Sequence, residues 1–301
     1  MMNNDVLVLM STYNGEKYLD AQLESLANQK QVKISLLVRD DGSQDNTINI
    51  LKKWSKRINL KYYSGKNLGS AKSFMNLVKM AKKYSYYAFC DQDDYWDSDK
   101  LITAINFLKK TEDKPSLYTS ATRIVDENLR FIVNHEVVSF KNFENAIIKN
   151  EAVGCTEVFN YSLMRELKKY EPEFLKMHDS WVCRVCYAIG GKVYVDSVPH
   201  ISYRQHGDNV VGYKENIFKK LSKQFKTAFK DKIRIRQRIA QELKMGYENE
   251  IPVKNLQIIN NLIDYPHDFK AKIALLTSRH FKTPYKIINV EMKIAILLNK
   301  F

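Results

Sequence analysis

Cysteine is scarce in this 301-residue chain, and it is badly placed for cross-linking. The four are Cys90, Cys155, Cys183 and Cys186. Such scattered positions make a poor disulfide framework and point to a reducing compartment. Cys183-Arg-Val-Cys186 has redox or half-zinc spacing, but no second Cys/His pair lies near it at zinc spacing. The simpler reading is two small residues three apart on the buried face of a helix. No run approaches the ~18 consecutive apolar residues of a membrane-spanning helix. The first residues, Met1 to Val6, carry neither a basic region nor an apolar stretch, which argues against a secretory signal. There is no internal repeat, no low-complexity tract and no Pro/Gly/Ser linker. With 45% hydrophobic residues, disorder is not expected.

Acidic residues run short toward the C-terminus. Residues 1–213 hold 29 Lys and Arg against 26 Asp and Glu, whereas residues 214–301 hold 19 against 8, a net of +11. That shift predicts two regions with different tasks, 1–212 and 213–301.

What is present in the first half is an alternation of short apolar runs and helical patterns. Val6–Met10, Ile34–Val38, Leu60–Tyr63 and Tyr86–Cys90 read as strands. Glu16–Gln29, Gln44–Lys56 and Ala71–Lys83 place apolar residues on one helical face. This order predicts an α/β fold with a mainly parallel sheet flanked by helices, whose ligands bind at the carboxyl ends of the strands. Farther on, Leu117–Ala121, Glu157–Asn160 and Val193–Val195 read as strands and Asp179–Ile189 as a helix.

Polar clusters follow each of the first four strands: Ser11-Thr12-Tyr13-Asn14-Gly15, Asp40-Asp41-Gly42-Ser43-Gln44-Asp45, Gly65-Lys66-Asn67-Leu68-Gly69-Ser70 and Asp91-Gln92-Asp93-Asp94. One such cluster is an ordinary turn or helix cap, and Ser43 or Asp45 fits that description. Four at one sheet edge point to a site. The last is the sharpest. Three carboxylates in four residues repel one another unless solvated or neutralised by a cation, and on an extended segment Asp91 and Asp93 point the same way. Hard oxygen ligands suit Mg²⁺ or Mn²⁺ set against substrate phosphates. The competing reading is a solvated helix N-terminus, since a helical pattern starts at Asp99-Lys100-Leu101.

Taken in order, Val6–Asn14, Asp40-Asp41-Gly42-Ser43-x-Asp45 and Phe89-Cys90-Asp91-Gln92-Asp93-Asp94 resemble family 2 glycosyltransferases of the GT-A fold. Met177-His178-Asp179-Ser180-Trp181 resembles the segment that carries the catalytic base of that family. Tyr203-Arg204-Gln205-His206-Gly207-x-Asn209-x-x-Gly212 resembles the closing motif of a subgroup rich in bacterial rhamnosyltransferases. The likeness spans roughly residues 5–212. Glu157, following Gly154-Cys155-Thr156, departs from the small or apolar residue expected there.

The resemblance implies roles residue by residue. Ser11 and Tyr13 would contact the nucleotide, Tyr13 on the base; Asp41 would accept a hydrogen bond from the pyrimidine N3–H; Asp40, Asn67 and Lys72 would lie around ribose and phosphates. Asp93 would bind the metal, Mn²⁺ or Mg²⁺, and Asp91 the metal or the sugar hydroxyls. His206 would help close the site, as a metal ligand. Asp179 would take the acceptor proton, with Trp181 and Thr156 on the acceptor side. The implied reaction is inverting transfer from a nucleotide-diphosphate sugar, with dTDP-L-rhamnose the leading donor and UDP-hexoses open, to a saccharide or lipid-linked saccharide acceptor in cell-surface polysaccharide or glycolipid assembly.

From Asn216 to Leu243 apolar residues recur at near-helical spacing between many lysines and arginines, the pattern of a basic helix that lies on anionic lipid. A second apolar helical pattern runs through Ile287, Ile288, Ile294, Leu297 and Leu298. The bland alternative is an apolar stripe packed on the catalytic region with solvated lysines. The expected location is cytoplasmic, peripheral on the inner face of the plasma membrane. Nucleic-acid binding is disfavoured, since no zinc, KH or RRM signature occurs. A non-catalytic sugar- or lipid-binding relative is disfavoured by Asp41, Asp93 and Asp179 occurring together.

Overall fold

The computed structural model describes residues 4–111, 113–137, 142–149, 152–206 and 234–301. Its centre is a seven-stranded sheet built from β1 (Asp5–Thr12), β2 (Lys33–Asp40), β3 (Leu60–Ser64), β4 (Tyr86–Cys90), β6 (Ser116–Ser120), β9 (Val158–Asn160) and β10 (Lys192–Asp196). The strand order is β10-β6-β9-β4-β1-β2-β3. Every pairing is parallel except those of β9 with β4 and β6. This is the mainly parallel α/β architecture expected from the alternating pattern.

Continuous apolar runs form the central strands because both faces are covered. Val6, Val8 and Met10 of β1 join Ala88 and Cys90 of β4 beneath α1 (Leu19–Ala27), α2 (Thr47–Trp54) and α4 (Lys100–Leu108). On the opposite face, Leu7, Leu9, Tyr87 and Phe89 pack under α3 (Ser70–Met80), α5 (Phe143–Ile148), α6 (Tyr161–Leu167) and α7 (His178–Ala188). Cys183 and Cys186 lie buried on α7, as small helix-face residues.

Four further helices follow among the described residues: α8 (Ile235–Tyr247), α9 (Val253–Asp264), α10 (Phe269–Thr277) and α11 (Lys286–Leu297). Their Ile239, Leu243, Ile259, Leu262, Met292 and Ile296 belong to the same apolar cluster as Leu7 and Phe89. The boundary expected near 212 and most of the basic 216–243 segment lie outside the described residues. Its described end, in α8, turns Ile239, Ala240 and Leu243 inward. There Arg236 donates to Ile148 O and Arg234 to Asn299 O, so these cations serve internal contacts.

A second sheet, with order β5-β11-β7-β8, was not foreseen. It consists of β5 (Tyr95–Trp96), β7 (Thr122–Val125), β8 (Phe131–His135) and β11 (Ile201–Arg204). β11 delivers Arg204 and His206 to the loop after β4. Among the described residues, no helix is long and apolar enough to cross a membrane.

Candidate active site

The strand order reverses between β1 and β4, so the crevice at their carboxyl ends is the topological switch point where open α/β sheets bind ligands. The loops around it are knitted together. Gln92 clasps the β1 end with both arms, accepting from Tyr13 N at 2.9 Å and donating to Tyr13 O at 3.0 Å. Gly15 permits this close approach, since a Cβ there would collide with the Gln92 amide. The Tyr13 ring stays 48% exposed beside the crevice.

Asp40 and Asp41 are both buried, with different partners. Asp40 accepts from Gly42 N and Ser43 N at 3.0 Å each and from Thr12 Oγ1 at 3.2 Å. Its carboxylate is therefore consumed in shaping the turn rather than presented toward ribose. Asp41 pairs with Arg39 and accepts from Leu68 N at 3.1 Å, which ties the β2 and β3 loops. Arg39 also donates to Ser73 Oγ, which accepts in turn from Ser11 Oγ at 2.7 Å. Asn67 accepts from Gly69 N at 2.9 Å, and Lys72 is exposed in the first turn of α3.

Immediately after β4 the chain bends, and the carboxylates do not alternate as on an extended strand. Asp91, the wholly buried Asp94 and the Cys155 thiol bring ligand atoms within 4.8 Å of one another. Asp93 turns to the second sheet, where its Oδ2 lies 2.9 Å from His206 Nε2. Arg204 holds the loop from behind: its backbone N–H donates to Asp94 Oδ1 at 3.2 Å, and its Nε donates to Asp93 O at 2.8 Å. Its guanidinium lies over the Tyr18 ring, which also faces His206, with ring centroids 4.8 Å apart. Burial, and then the charges of Asp93 and Asp179, push the Asp91 carboxyl up to about 8. Asp91 thus feels the charge of two other carboxylates. Asp91 and Asp94 offer hard oxygen donors, and the separate Asp93–His206 pair a further carboxylate and an imidazole, a donor chemistry that fits a divalent cation such as Mn²⁺ or Mg²⁺.

Asp179 sits in the first turn of α7. Its Oδ2 accepts from Gly154 N at 3.1 Å, and its Oδ1 accepts from Ser180 N. A Cβ on residue 154 would meet His178 Nε2 at 2.8 Å and Asp179 Cβ at 3.3 Å, so glycine is what lets this backbone approach α7. His178 is stacked on Phe74 at 3.9 Å with no hydrogen-bond partner for either ring nitrogen among the described residues, and burial lowers it to about 4. Glu157, whose charge would meet that of Asp179, is fully buried, with neither carboxyl oxygen hydrogen-bonded among the described residues. Burial first, and then Asp179, push Glu157 well above the ordinary carboxyl range.

Two expected acceptor-side residues lie elsewhere. Trp181 is 2% exposed and packs with Tyr170 and Tyr247 toward the C-terminal helices, because two positions beyond Asp179 a helix has turned by about 200°. Thr156 is buried in a short 3₁₀ turn and hydrogen-bonds Thr119 Oγ1 at 2.7 Å. Neither side chain walls an open acceptor site. Gln92, Arg39 and Arg204 carried no role in the sequence reading. Gln92 and Arg204 stood within recognisable motifs, and Arg39 did not.

The fold is that of GT-A glycosyltransferases, and comparison with known proteins agrees. Residues 7–170 match the family model "Glycosyl transferase family 2". The dTDP-rhamnosyl transferase RfbG of Shigella flexneri is 31% identical over 215 residues, covering 67% of this chain and 73% of that protein. The UDP-Glc:alpha-D-GlcNAc-diphosphoundecaprenol beta-1,3-glucosyltransferase WfgD of Escherichia coli is 31% identical over 157 residues, 51% of this chain and 58% of its own. In fold, the crystal structure of Staphylococcus aureus TarS 1-349 covers 98% of this chain and 80% of its own, with TM-score 0.58 at 17% identity. The same fragment in complex with UDP-GlcNAc gives 0.55. The chain belongs to glycosyl transferase family 2, and it is a glycosyltransferase.

Proposed function

We propose that this glycosyltransferase moves a sugar, with inversion and with a divalent metal, from a nucleotide-diphosphate donor to an acceptor hydroxyl in cell-surface polysaccharide or glycolipid assembly. The observation that carries the reading is the acidic loop at the carboxyl end of β4, where Asp93 Oδ2 lies 2.9 Å from His206 Nε2 beside the topological switch point. The charge of Asp179 acts on Asp91 of the same loop, which supports a base subsite beside the metal-and-donor subsite.

Asp93, Asp91 and His206 are the residues that would hold Mn²⁺ or Mg²⁺. The cation would supply compensation for the negative charge that grows on the departing diphosphate. The protein's own groups do the rest. Arg204 and Gln92 fix the loop that carries the acidic residues. Ser11, Tyr13 and Asp41 border the nucleotide. Asp179 accepts the proton of the attacking hydroxyl, because an alcohol is a weak nucleophile until a positioned base takes that proton. Gly154 N–H and Ser180 N–H hold the carboxylate in place for this.

dTDP-L-rhamnose is the leading donor, supported by the likeness to the Shigella protein. A UDP-hexose is the second reading, supported by the likeness to the E. coli glucosyltransferase. The latter's lipid diphosphate acceptor also supports a lipid-linked acceptor and a position on the inner face of the plasma membrane. A thermal-shift screen of dTDP-rhamnose, UDP-glucose and UDP-GlcNAc with and without Mn²⁺ tests the reading, since a ligand that binds only the native state raises its stability. The expected result is a metal-dependent shift largest with dTDP-rhamnose. A larger shift with a UDP-sugar selects the second donor, and no shift with any of them removes the reading.

A further inference from the structure

α11 is apolar on two opposite sides. Met292 and Ile296 face the core, 3% and 0% exposed. Ile287, Val290, Ile294 and Leu297, with the capping residue Leu298, face away from it, at 60%, 58%, 38%, 58% and 50% exposure. At 3.6 residues per turn these five occupy a sector roughly 100° wide, centred opposite the buried pair. Lys286 and Lys293 line one edge of that sector. α10, packed beside α11, exposes Phe269 and Ile273 one turn apart. The charge around this apolar surface is mainly basic: residues 264–301 contain seven Lys and Arg against three acidic residues, Asp264, Asp268 and Glu291.

We propose that the outer face of α11 docks on an anionic lipid bilayer, with Ile287, Val290, Ile294, Leu297 and Leu298 entering the headgroup–acyl boundary. The arrangement matches an interfacial helix, in which an apolar stripe enters the boundary while flanking lysines extend to lipid phosphates. A protein partner fits it poorly, because interface cores are depleted in lysine. A second copy fits no better. Two-fold pairing would set one lysine-flanked stripe against another, and like charge facing like charge opposes association. The binding does not depend on which sugar is transferred. Only its purpose, bringing the crevice to a lipid-linked acceptor, rests on the proposed function.

The test is sedimentation of the full chain with phosphatidylcholine vesicles, with and without phosphatidylglycerol. Binding is expected to the anionic vesicles and to weaken as salt rises. Ile294→Glu/Leu297→Glu alters only exposed positions. It should reduce vesicle binding at least tenfold while leaving the circular dichroism spectrum and the Kd for the donor nucleotide unchanged. Lys286→Ala and Lys293→Ala should each weaken binding about fivefold, the effect of one basic residue near an anionic surface.

Three results overturn the proposal. The first is no binding, or equal binding to neutral vesicles. The second is wild-type binding that none of these substitutions changes, which locates the lipid contact elsewhere in the chain. The third is a solution dimer that Ile294→Glu/Leu297→Glu dissolves, which makes the stripe a contact between copies. Nucleotide Kd, measured by calorimetry without lipid, reports separately on the glycosyltransferase reading.

Discussion

His206 Nε2 lies 2.9 Å from Asp93 Oδ2, so two sheets meet at one contact. Asp93 follows the last strand of the βα alternation, β4. His206 follows β11 of the smaller sheet, and Arg204, two residues earlier, holds Asp93 by its carbonyl. The contact gives the acidic loop a fixed partner from a distant part of the chain.

The metal prediction follows from this geometry. Excess chelator should abolish transfer, and Mn²⁺ or Mg²⁺ should restore it. Asp93→Asn should lower kcat by about 100-fold or more, the scale of losing one electrostatic stabiliser of a developing charge. His206→Ala should weaken the Mn²⁺-induced thermal shift without lowering the melting temperature of the metal-free protein by more than a few degrees. Full activity in chelator refutes the assignment.

The second prediction concerns Asp41. Its expected part, reading the pyrimidine, has to coexist with its pairing to Arg39, whose side chain is 5% exposed. Asp41→Ala leaves that guanidinium buried without its partner, which typically costs about 3–5 kcal/mol. The variant should therefore lose stability in urea unfolding as well as nucleotide affinity. Asp41→Asn keeps the shape and an acceptor for Leu68 N, so it separates the two effects. It should fold close to normally and still bind dTDP or UDP more weakly. Unchanged nucleotide affinity in Asp41→Asn confines Asp41 to loop structure.

Glu157 gives a pH prediction. Its carboxyl is held well above the ordinary range by burial and by Asp179; Cys183 and Cys186 of α7 are the other titratable groups it acts on. The unfolded chain releases this proton near the ordinary Glu value of 4.5, while the folded protein keeps it. The folded state then binds more protons, so stability falls as pH rises from about 4.5 toward the folded value. Glu157→Met should remove this penalty. It should stabilise the protein more at pH 7.5 than at pH 4, as read from urea midpoints. Equal gains at both pH values would show that packing, not ionisation, sets the difference.

The β-α alternation was legible because β1 and β4 are unbroken apolar runs and the helices between them carry clear apolar faces. The smaller sheet was not. β5 has two residues, and β8, Phe131–His135, is mostly exposed, so neither has an apolar pattern to detect. The acidic loop was found by composition, but its internal geometry was not, since the bend after Cys90 breaks the alternation of an extended strand. Asp40 and Asp41 look alike in sequence and differ in partners, one closing a turn and the other an ion pair. Gln92 gave no signal, because a glutamine that clasps a backbone looks like any polar loop residue. Trp181 was misplaced because helix phase, rather than nearness in sequence, decides which way a side chain points.

The last prediction tests the base. Both Asp179 oxygens accept backbone N–H bonds, from Gly154 and Ser180. Asp179→Asn keeps one acceptor and sets an amide NH₂ where the other was, so some stability is lost, about 1–3 kcal/mol for one buried donor left unsatisfied. A melting curve measures that loss on its own. The catalytic effect should be larger and distinct. Transfer should fall about 10²–10⁴-fold, the usual worth of general-base help. The fall should appear equally in kcat and kcat/KM, as when an interaction made only in the transition state is removed. Donor Kd should stay within about twofold, because the base acts on the acceptor. Gly154→Ala serves as the counterpart. Its methyl would press on His178 and Asp179 and displace the carboxylate without removing it, so the rate should drop while the pH profile keeps its shape. Near-normal kcat in Asp179→Asn, with the protein folded and donor bound, assigns the proton transfer to another group. Loss of donor binding in the same variant makes Asp179 part of the metal–donor subsite.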